Sequence, residues 1–471
     1  MKRIHRLPIS VSAAAALLLV AALHAGAPDR TGTPQGKPGA ANSPAVVLVS
    51  LDGFPAAALA DPDLPAPALR ALIASGASAK GMTGVNPAVT WPTHTTFVTG
   101  VLPDDHGVLF NGLLIRQPGA LPRIEPWRDK AEMVRVETVY DAAFRAGLST
   151  AQVDWVAIQN PGTITWDFAE RPDPKGSIAR ELIAAGLAAP GAIDRFAKMN
   201  TVAKDQTWTT AAVHIIERHQ PNLLLLHLLA LDSTHHRYGP GTPAAYATIG
   251  FVDAQLARVI EAVRRSPMKD RTTVMVVSDH GFKTATRSIR PNAMLRRAGL
   301  LQVDDAGRNM PGDAFVISEG GTAMVYALKN RERLVPKLAQ LFRGAPGIAR
   351  VLEPAEFAAL GYPAPDRNAQ MGDLVLVAAD DHSFSGSADG DDVVHNPQPA
   401  GFHGALNTDP AMDSIFVAWG YGIRPGVRVE RVSAVQVAPT IAALLDLRMS
   451  AAGAPIDAIL SAPDKGRRRD R

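Results

Sequence analysis

Two apolar patterns alternate along the chain. Short unbroken runs of aliphatic and β-branched residues recur at VVLVSLD (46–52), LLLLHLLALD (223–232), TTVMVVSD (272–279) and SIFVAWG (414–420). Runs of this length without polar alternation predict strands buried on both faces. Between them, helical patterns run through PALRALIASG (67–76), AAYATIGFVDAQLARVIEAVRR (244–265) and VAPTIAALLDL (437–447). Gly76 supplies a stop to the first, and Pro439 stands near the start of the last, where proline is tolerated. Buried strands alternating with helices predict an α/β fold, a three-layer α/β/α sandwich on a mostly parallel central sheet.

The pattern changes between residues 283 and 400. AFVISEGGTAMVYAL reads as strand, turn and strand, ERLVPKLAQLFRGAPGI as a helix with a glycine stop, and GDLVLVAA as a further strand. A polar stretch, DDHSFSGSADGDDVVHNPQPAG, follows. This segment is expected to be a smaller α+β cap inserted into a core made of residues 44–282 and 401–450, with 451–471 as a C-terminal tail.

The first residues carry a different message. Lys2, Arg3 and Arg6 precede an apolar run from Ala13 to Leu23 and the small residues Ala25, Gly26 and Ala27. The run is shorter than the ~20 residues a bilayer-spanning helix needs, so residues 1–27 read as a secretory signal. Residues 28–43, polar and rich in Gly and Pro, read as a linker. The chain has no cysteine, which excludes a lipid-anchored lipoprotein and fits an oxidising compartment. A periplasmic or secreted protein, without stable membrane insertion once the signal is cleaved, is the expectation.

Composition narrows the partners. At 46% hydrophobic and 20% charged residues, the chain can bury a large core. Its net charge of +3 is terminal: without Lys2, Arg3, Arg6 and the tail Lys465–Arg471, 40 basic residues face 44 acidic ones, a balance of −4. The body is therefore not a basic nucleic-acid binder, and no nucleic-acid sequence recognition is expected. Oligomeric state is not legible in the sequence.

Chemistry-bearing residues recur in six short fragments: SLDG (Asp52), VTWPTH (Thr90), FNG (Asn111), LDSTHH (Asp232, His236), VVSDHG (Asp279, His280) and GFHG (His403). Asp52, Asp232 and Asp279 are each placed at the end of an expected strand, where ligands gather in open α/β sheets. Three carboxylates far apart in sequence can thus converge. Thr90 stands just before a helix expected to begin at Pro92, whose free N–H groups favour an anion; a helix-capping threonine is the plainer reading of that fragment. Asp232 and His236 are four apart, with His235 competing for the role, and His382 and His395 precede His403 in the polar stretch. The inventory of three carboxylates, three imidazoles, an alcohol and a neutral amide suits phosphoryl transfer at a two-metal site.

The pieces SLDG, TWPTHTTFVTGVLPDDHG, FNG, LDSTHHRYGP, SDHGF, MGDLVLVA and GFHG together resemble the type I phosphodiesterase/nucleotide pyrophosphatase family of the alkaline phosphatase superfamily, from about Val46 to Leu447. The resemblance implies two zinc ions, one held by Asp232, His236 and His403, the other by Asp52, Asp279 and His280 with Thr90 bound to it. It implies attack by Thr90 on a phosphodiester or nucleotide substrate, a phosphothreonine intermediate, and phosphate-oxygen donation by Asn111 and the Trp91 backbone N–H. The Trp91 ring would stack on a nucleobase, and Asp154 and Trp155 would line the rim. Thr93 and His235 depart from the Asn and Gly that family members often carry, and His94 and His106 match structural histidines. A phosphomonoesterase or phosphonate hydrolase on the same site is the alternative. A sulfatase is disfavoured because Thr stands where that branch modifies Cys or Ser.

Overall fold

A computed structural model describes residues 43–462. The expected signal, the linker apart from Ser43, and the basic residues Lys465–Arg471 lie outside the described residues.

The apolar runs form the centre of an eight-stranded sheet. Its order is Arg428–Ser433, Ala77–Thr83, Phe416–Gly420, Thr272–Val277, Ala45–Leu51, Leu223–Leu228, Thr150–Val153 and Trp166–Phe168. Phe416–Gly420 runs antiparallel to both its neighbours, and all other pairs are parallel. Alternate residues of Ala45–Leu51 enter opposite cores. Val47 and Val49 pack with Leu69, Trp208, Ile215 and Leu256 on one face. Val46 and Leu48 pack with Phe97, Tyr140 and Ile441 on the other. Helices cover both faces, so the architecture is three-layered, as the alternation of strands and helices predicts.

Register brings the chemistry together. Leu51 pairs with Leu228, and Ser50 with both His227 and Val277. The carboxyl ends of three adjacent parallel strands therefore sit side by side. The strand expected over 223–232 stops at Leu228, however, and a helix, Ala230–Tyr238, begins two residues later. Asp232 lies in the first turn of that helix rather than at a strand end. The buried carboxylate of Asp205 accepts the Leu229 and Ala230 backbone N–H groups, both at 2.9 Å, and so nucleates the helix from another element. No local capping residue announces this turn.

Between Thr272–Val277 and Phe416–Gly420 the chain leaves the main sheet. Ala314–Ser318, Thr322–Ala327, Leu374–Ala378 and Ile348–Leu352 form a four-stranded antiparallel sheet backed by the helix Arg331–Phe342. The polar stretch before His403 also holds strands: His382–Phe384 and Val393–Phe402 flank Lys283–Ile289. Pro397 and Pro399 lie where the pairing of Val393–Phe402 shifts register, between His395 and Ala400, and they conceal it as a strand in sequence. Near the other end, Ile456 and Ile459 are buried in the core that contains Ile441, so part of the segment read as a tail belongs to the fold. Among the described residues no helix is long and apolar enough to cross a membrane.

Candidate active site

The six fragments converge on two adjacent groups. Asp52, Asp279 and His280 bring ligand-type atoms within 4.8 Å of one another, and Asp232, His236 and His403 do the same. The His280 and His403 rings, one from each group, stack at 3.7 Å between centroids and 9° between planes. Within the first group, His280 Nε2 lies 3.1 Å from Asp279 Oδ2 and 3.6 Å from Asp52 Oδ1. Within the second, Asp232 Oδ1 lies 3.4 Å from His236 Nε2 and 3.8 Å from His403 Nε2.

Five of these side chains are each anchored through one polar atom and present another inward. His280 donates from Nδ1 to its neighbour's carbonyl at Gly281 (3.2 Å), His236 to Gly401 (3.2 Å) and His403 to Ala88 (3.0 Å). A backbone acceptor at Nδ1 selects the tautomer that leaves the Nε2 lone pair free. Asp279 Oδ1 accepts the Gly53 N–H at 3.0 Å, and Asp52 Oδ2 accepts from His227 Nε2 at 2.8 Å. Left over are Asp52 Oδ1, Asp279 Oδ2, Asp232 Oδ1 and His280 Nε2, all buried and without a hydrogen-bond partner. Orphaned buried polar atoms are costly and rare, and here three of them, Asp52 Oδ1, Asp279 Oδ2 and His280 Nε2, share one group while Asp232 Oδ1 faces His236 and His403 in the other. An electrophile in each group, such as a divalent cation, satisfies them.

Electrostatics agree. Burial, then the charges of Asp279 and Asp232, push the Asp52 carboxyl well above the usual carboxylate range. Burial also works against the Asp279 carboxylate, but His280 beside it outweighs that and holds it well below the range. Burial opposes the His280 imidazolium too, yet the same pairing with Asp279 carries it up to about 9. Cationic charge is thus stabilised where the carboxylates meet.

The helix Thr90–Thr99 starts at Thr90 itself, two residues before the expected Pro92. Val89 occupies the N-cap and no side chain caps this end, so Thr90 is not a capping residue. His94, one turn on, donates from Nδ1 to the Thr90 carbonyl at 2.8 Å. Desolvation drives His94 down to about 3, so it is neutral in this role. His106 is likewise buried, bound to Thr96 Oγ1 at 3.0 Å.

Thr90 and Asn111 line a pocket of about 260 Å³ together with Asp232, His236 and His403, and Trp127, Asp154 and Glu170 also contribute to its lining. Asn111 Oδ1 accepts the Trp91 backbone N–H at 2.9 Å. That N–H, expected as a donor to phosphate, is therefore engaged by Asn111. The bond in turn fixes the amide so that its NH2 group is the free donor.

Packing places the remaining candidates. The Trp91 side chain is only 7% exposed and packs with Val108, Met133, Val134 and Val156, although it still touches the pocket. Trp155 is buried in the core, edge-on to His94 at 4.9 Å, and does not line the rim. Asp154 does line the pocket. His235 turns its Nδ1 to the Gly53 carbonyl (3.2 Å), away from the group that His236 joins. Positions 235 and 236 both lie within one turn of 232 on this helix, so helix phase alone does not choose between them; the Gly53 carbonyl engages His235. His382 and His395 sit on strands paired with Lys283–Ile289 and belong to neither group.

Residues the fragments did not reveal complete the wall. His227 bridges Asp52 and Asp154; its Nδ1 is 3.3 Å from Asp154 Oδ2. Burial lowers this imidazole's proton affinity, but Asp154 and Asp52 outweigh it and hold the group well above the usual histidine range. The sole polar residue in LLLLHLL was the available signal. Gly53 adopts φ +69°, and a Cβ there would stand 2.6 Å from the Phe282 ring, which explains the glycine of SLDG. Gly404 at φ +76° is tighter still, with the Glu319 carbonyl 1.6 Å from where a Cβ would be.

This architecture has counterparts. Residues 46–406 match the family model described as type I phosphodiesterase / nucleotide pyrophosphatase. Human ectonucleotide pyrophosphatase/phosphodiesterase family member 7 is 26% identical over 447 residues, covering 92% of this chain and 86% of the relative. The solved structure of murine ectonucleotide pyrophosphatase/phosphodiesterase 5 superposes with a TM-score of 0.68 at 19% identity, covering 88% of this chain and 100% of that one. An inactive form of the same murine protein in complex with AMP superposes with a TM-score of 0.67 at 20% identity, covering 89% of this chain and all of that one. The family match spans most of the chain and includes all six fragments, GFHG lying just inside its far end. The chain belongs to the type I phosphodiesterase/nucleotide pyrophosphatase family, hydrolases that act on phosphodiester bonds.

Proposed function

We propose that this chain is a two-zinc phosphodiesterase that cleaves nucleotide-type diesters through a phosphothreonine intermediate. The observation that carries the reading is the convergence of Asp52 Oδ1, Asp279 Oδ2, Asp232 Oδ1 and His280 Nε2, buried and unpartnered, beside a pocket that Thr90 lines. Asp52, Asp279 and His280 would hold one ion, with Thr90 as a further ligand; Asp232, His236 and His403 would hold the other. Mixed imidazole and carboxylate donors suit zinc. Bound there, the ions would supply Lewis acidity, making the Thr90 hydroxyl more acidic and offsetting charge on the phosphoryl oxygens.

The chain's own groups do the rest. Thr90 Oγ forms a bond to phosphorus as the bond to the leaving oxygen breaks, and the hydroxyl proton passes through solvent to that leaving oxygen. The Asn111 NH2 group, held by the Trp91 N–H, donates to a phosphoryl oxygen. Water then attacks phosphorus, and the Oγ–P bond breaks to regenerate Thr90. Among the described residues no lysine or arginine lines the pocket, which supports a diester's single charge over a monoester's two. The AMP complex of the murine protein supports a nucleotide as one half of the substrate.

Hydrolysis of bis-p-nitrophenyl phosphate tests the reading. Thr90→Ala and chelation are each expected to abolish turnover, and zinc to restore the chelated enzyme. Turnover surviving in Thr90→Ala would refute the covalent route, and p-nitrophenyl phosphate turned over faster than the diester would favour the monoesterase. We also infer export on the strength of residues 1–27; a mature N-terminus at Met1 would contradict it.

A further inference from the structure

Away from the pocket, among the described residues, one cluster of metal-type donors is left unused by this chemistry. Glu181 lies on the helix Ser177–Ala184, and His214 and His219 lie on the helix Thr201–His219. Both imidazole Nε2 atoms point at the same oxygen, Glu181 Oε2, His214 at 2.8 Å and His219 at 2.7 Å. The three donor atoms lie within 4.8 Å of one another. None of these residues lines the pocket of Thr90.

We propose that Glu181, His214 and His219 form a further divalent transition-metal site, of zinc class, that ties these two helices together outside the catalytic pocket. Two imidazoles and one carboxylate, with water as fourth ligand, are a standard zinc donor set. Tetrahedral bonds of about 2.0–2.1 Å separate donors by roughly 3.3 Å, so each histidine–glutamate separation needs to open by only about half an ångström. Glu181 can supply that movement, because its side chain keeps 34% of its exposure while the histidines keep 14% and 17%. The same exposure admits the water ligand.

The surroundings favour a cation. His219 is the last residue of its helix, where Gln220 turns into the left-handed region and the chain's carbonyl ends gather negative potential. Glu181 has no lysine or arginine among its hydrogen-bond partners, so no internal cation competes. The Trp166 ring stacks on His219 at 4.8 Å and 26°, fixing the imidazole plane.

Zinc alone is the probe. Metal-stripped full-length protein is loaded with Zn2+, freed of unbound ion, and its zinc counted by mass spectrometry. The wild type is expected to hold one equivalent more than His214→Ala/His219→Ala, and one more than the milder Glu181→Gln. Both variants should keep phosphodiester hydrolysis, and in both the zinc-dependent rise in melting temperature should shrink. The difference between wild type and variant decides, so the outcome does not depend on how many ions the catalytic pocket holds. Equal counts in wild type and Glu181→Gln would overturn the proposal; if the double variant fails to fold, Glu181→Gln carries the comparison.

Discussion

His227 Nε2 lies 2.8 Å from Asp52 Oδ2, and the other face of the same imidazole meets Asp154. This contact directs Asp52 Oδ1 toward Asp279 and His280. Outer partners of this kind tune metal sites by roughly 10–100-fold in affinity. His227→Gln, which keeps bulk but not the bridge, is expected to weaken zinc binding by about that factor. Excess zinc should restore part of the activity. Competition with a coloured chelator measures the affinity, and an unchanged value would show that Asp52 needs no support.

Asn111 makes a separable contribution. Its Oδ1 is held by the Trp91 N–H, so only the NH2 group is free for a phosphoryl oxygen. Removing one such donor costs on the order of 10²–10³ in kcat. Asn111→Ala is expected to fall in that range with metal content intact. Asn111→Asp should be worse, because a carboxylate there accepts where a donor is needed and repels the substrate. Steady-state kinetics on a diester, with zinc counted in parallel, distinguishes this from loss of the site.

In the proposed reaction Thr90 makes the covalent bond to phosphorus. Thr90→Ser retains a hydroxyl at the helix start and is expected to keep measurable turnover, whereas Thr90→Ala should lose on the order of 10³-fold or more. Rapid acid quench during turnover should trap phosphate on Thr90 in the active chain. Absence of label under conditions that saturate the enzyme would argue for direct attack by water.

Metal removal should destabilise the fold as well as silence it. Without a cation, Asp52 is pushed toward neutrality by burial and by Asp279 and Asp232. A ligand that binds only the native state at 1,000 times its Kd stabilises it by about 4 kcal/mol. Chelation is therefore expected to lower the melting temperature by several degrees, and Asp279→Asn should blunt that response. Differential scanning calorimetry with and without zinc makes the comparison.

Acid should weaken the fold through His106. Burial holds this imidazole at about 3, against 6.5 in an open chain. Its folded value is depressed, so between about 6.5 and 3 the unfolded chain binds a proton that the native state refuses. Stability from this group is thus full above 6.5 and falls with pH through that window, by about 1.4 kcal/mol per pH unit at most. His106→Gln lowers stability at neutral pH by disturbing the bonds to Thr96 and Val108, yet its stability should decline less steeply below pH 6. Urea unfolding of both chains across that range gives the slopes.

The sheet centre and the donor set were legible along the chain, for a shared physical reason. Continuous apolar runs such as 46–51 and 223–228 can be buried only as central strands, and burial preference is a local property of the residues. Carboxylates, imidazoles and a hydroxyl likewise carry their chemistry wherever the fold takes them. Partnership was not local. The Gly53 carbonyl engaged His235 and left His236 to the group with Asp232, and an aspartate 27 residues upstream of Asp232, Asp205, anchored that helix's start. Packing turned Trp91 inward and left Trp127 to share the pocket lining, and strand register set His227 against Asp52. Sequence determined which groups this protein has to work with; tertiary structure decided which atom of each is spent on the scaffold and which is left for the site, because hydrogen bonds across tens to hundreds of residues exist only once the sheet order and helix rotations are set.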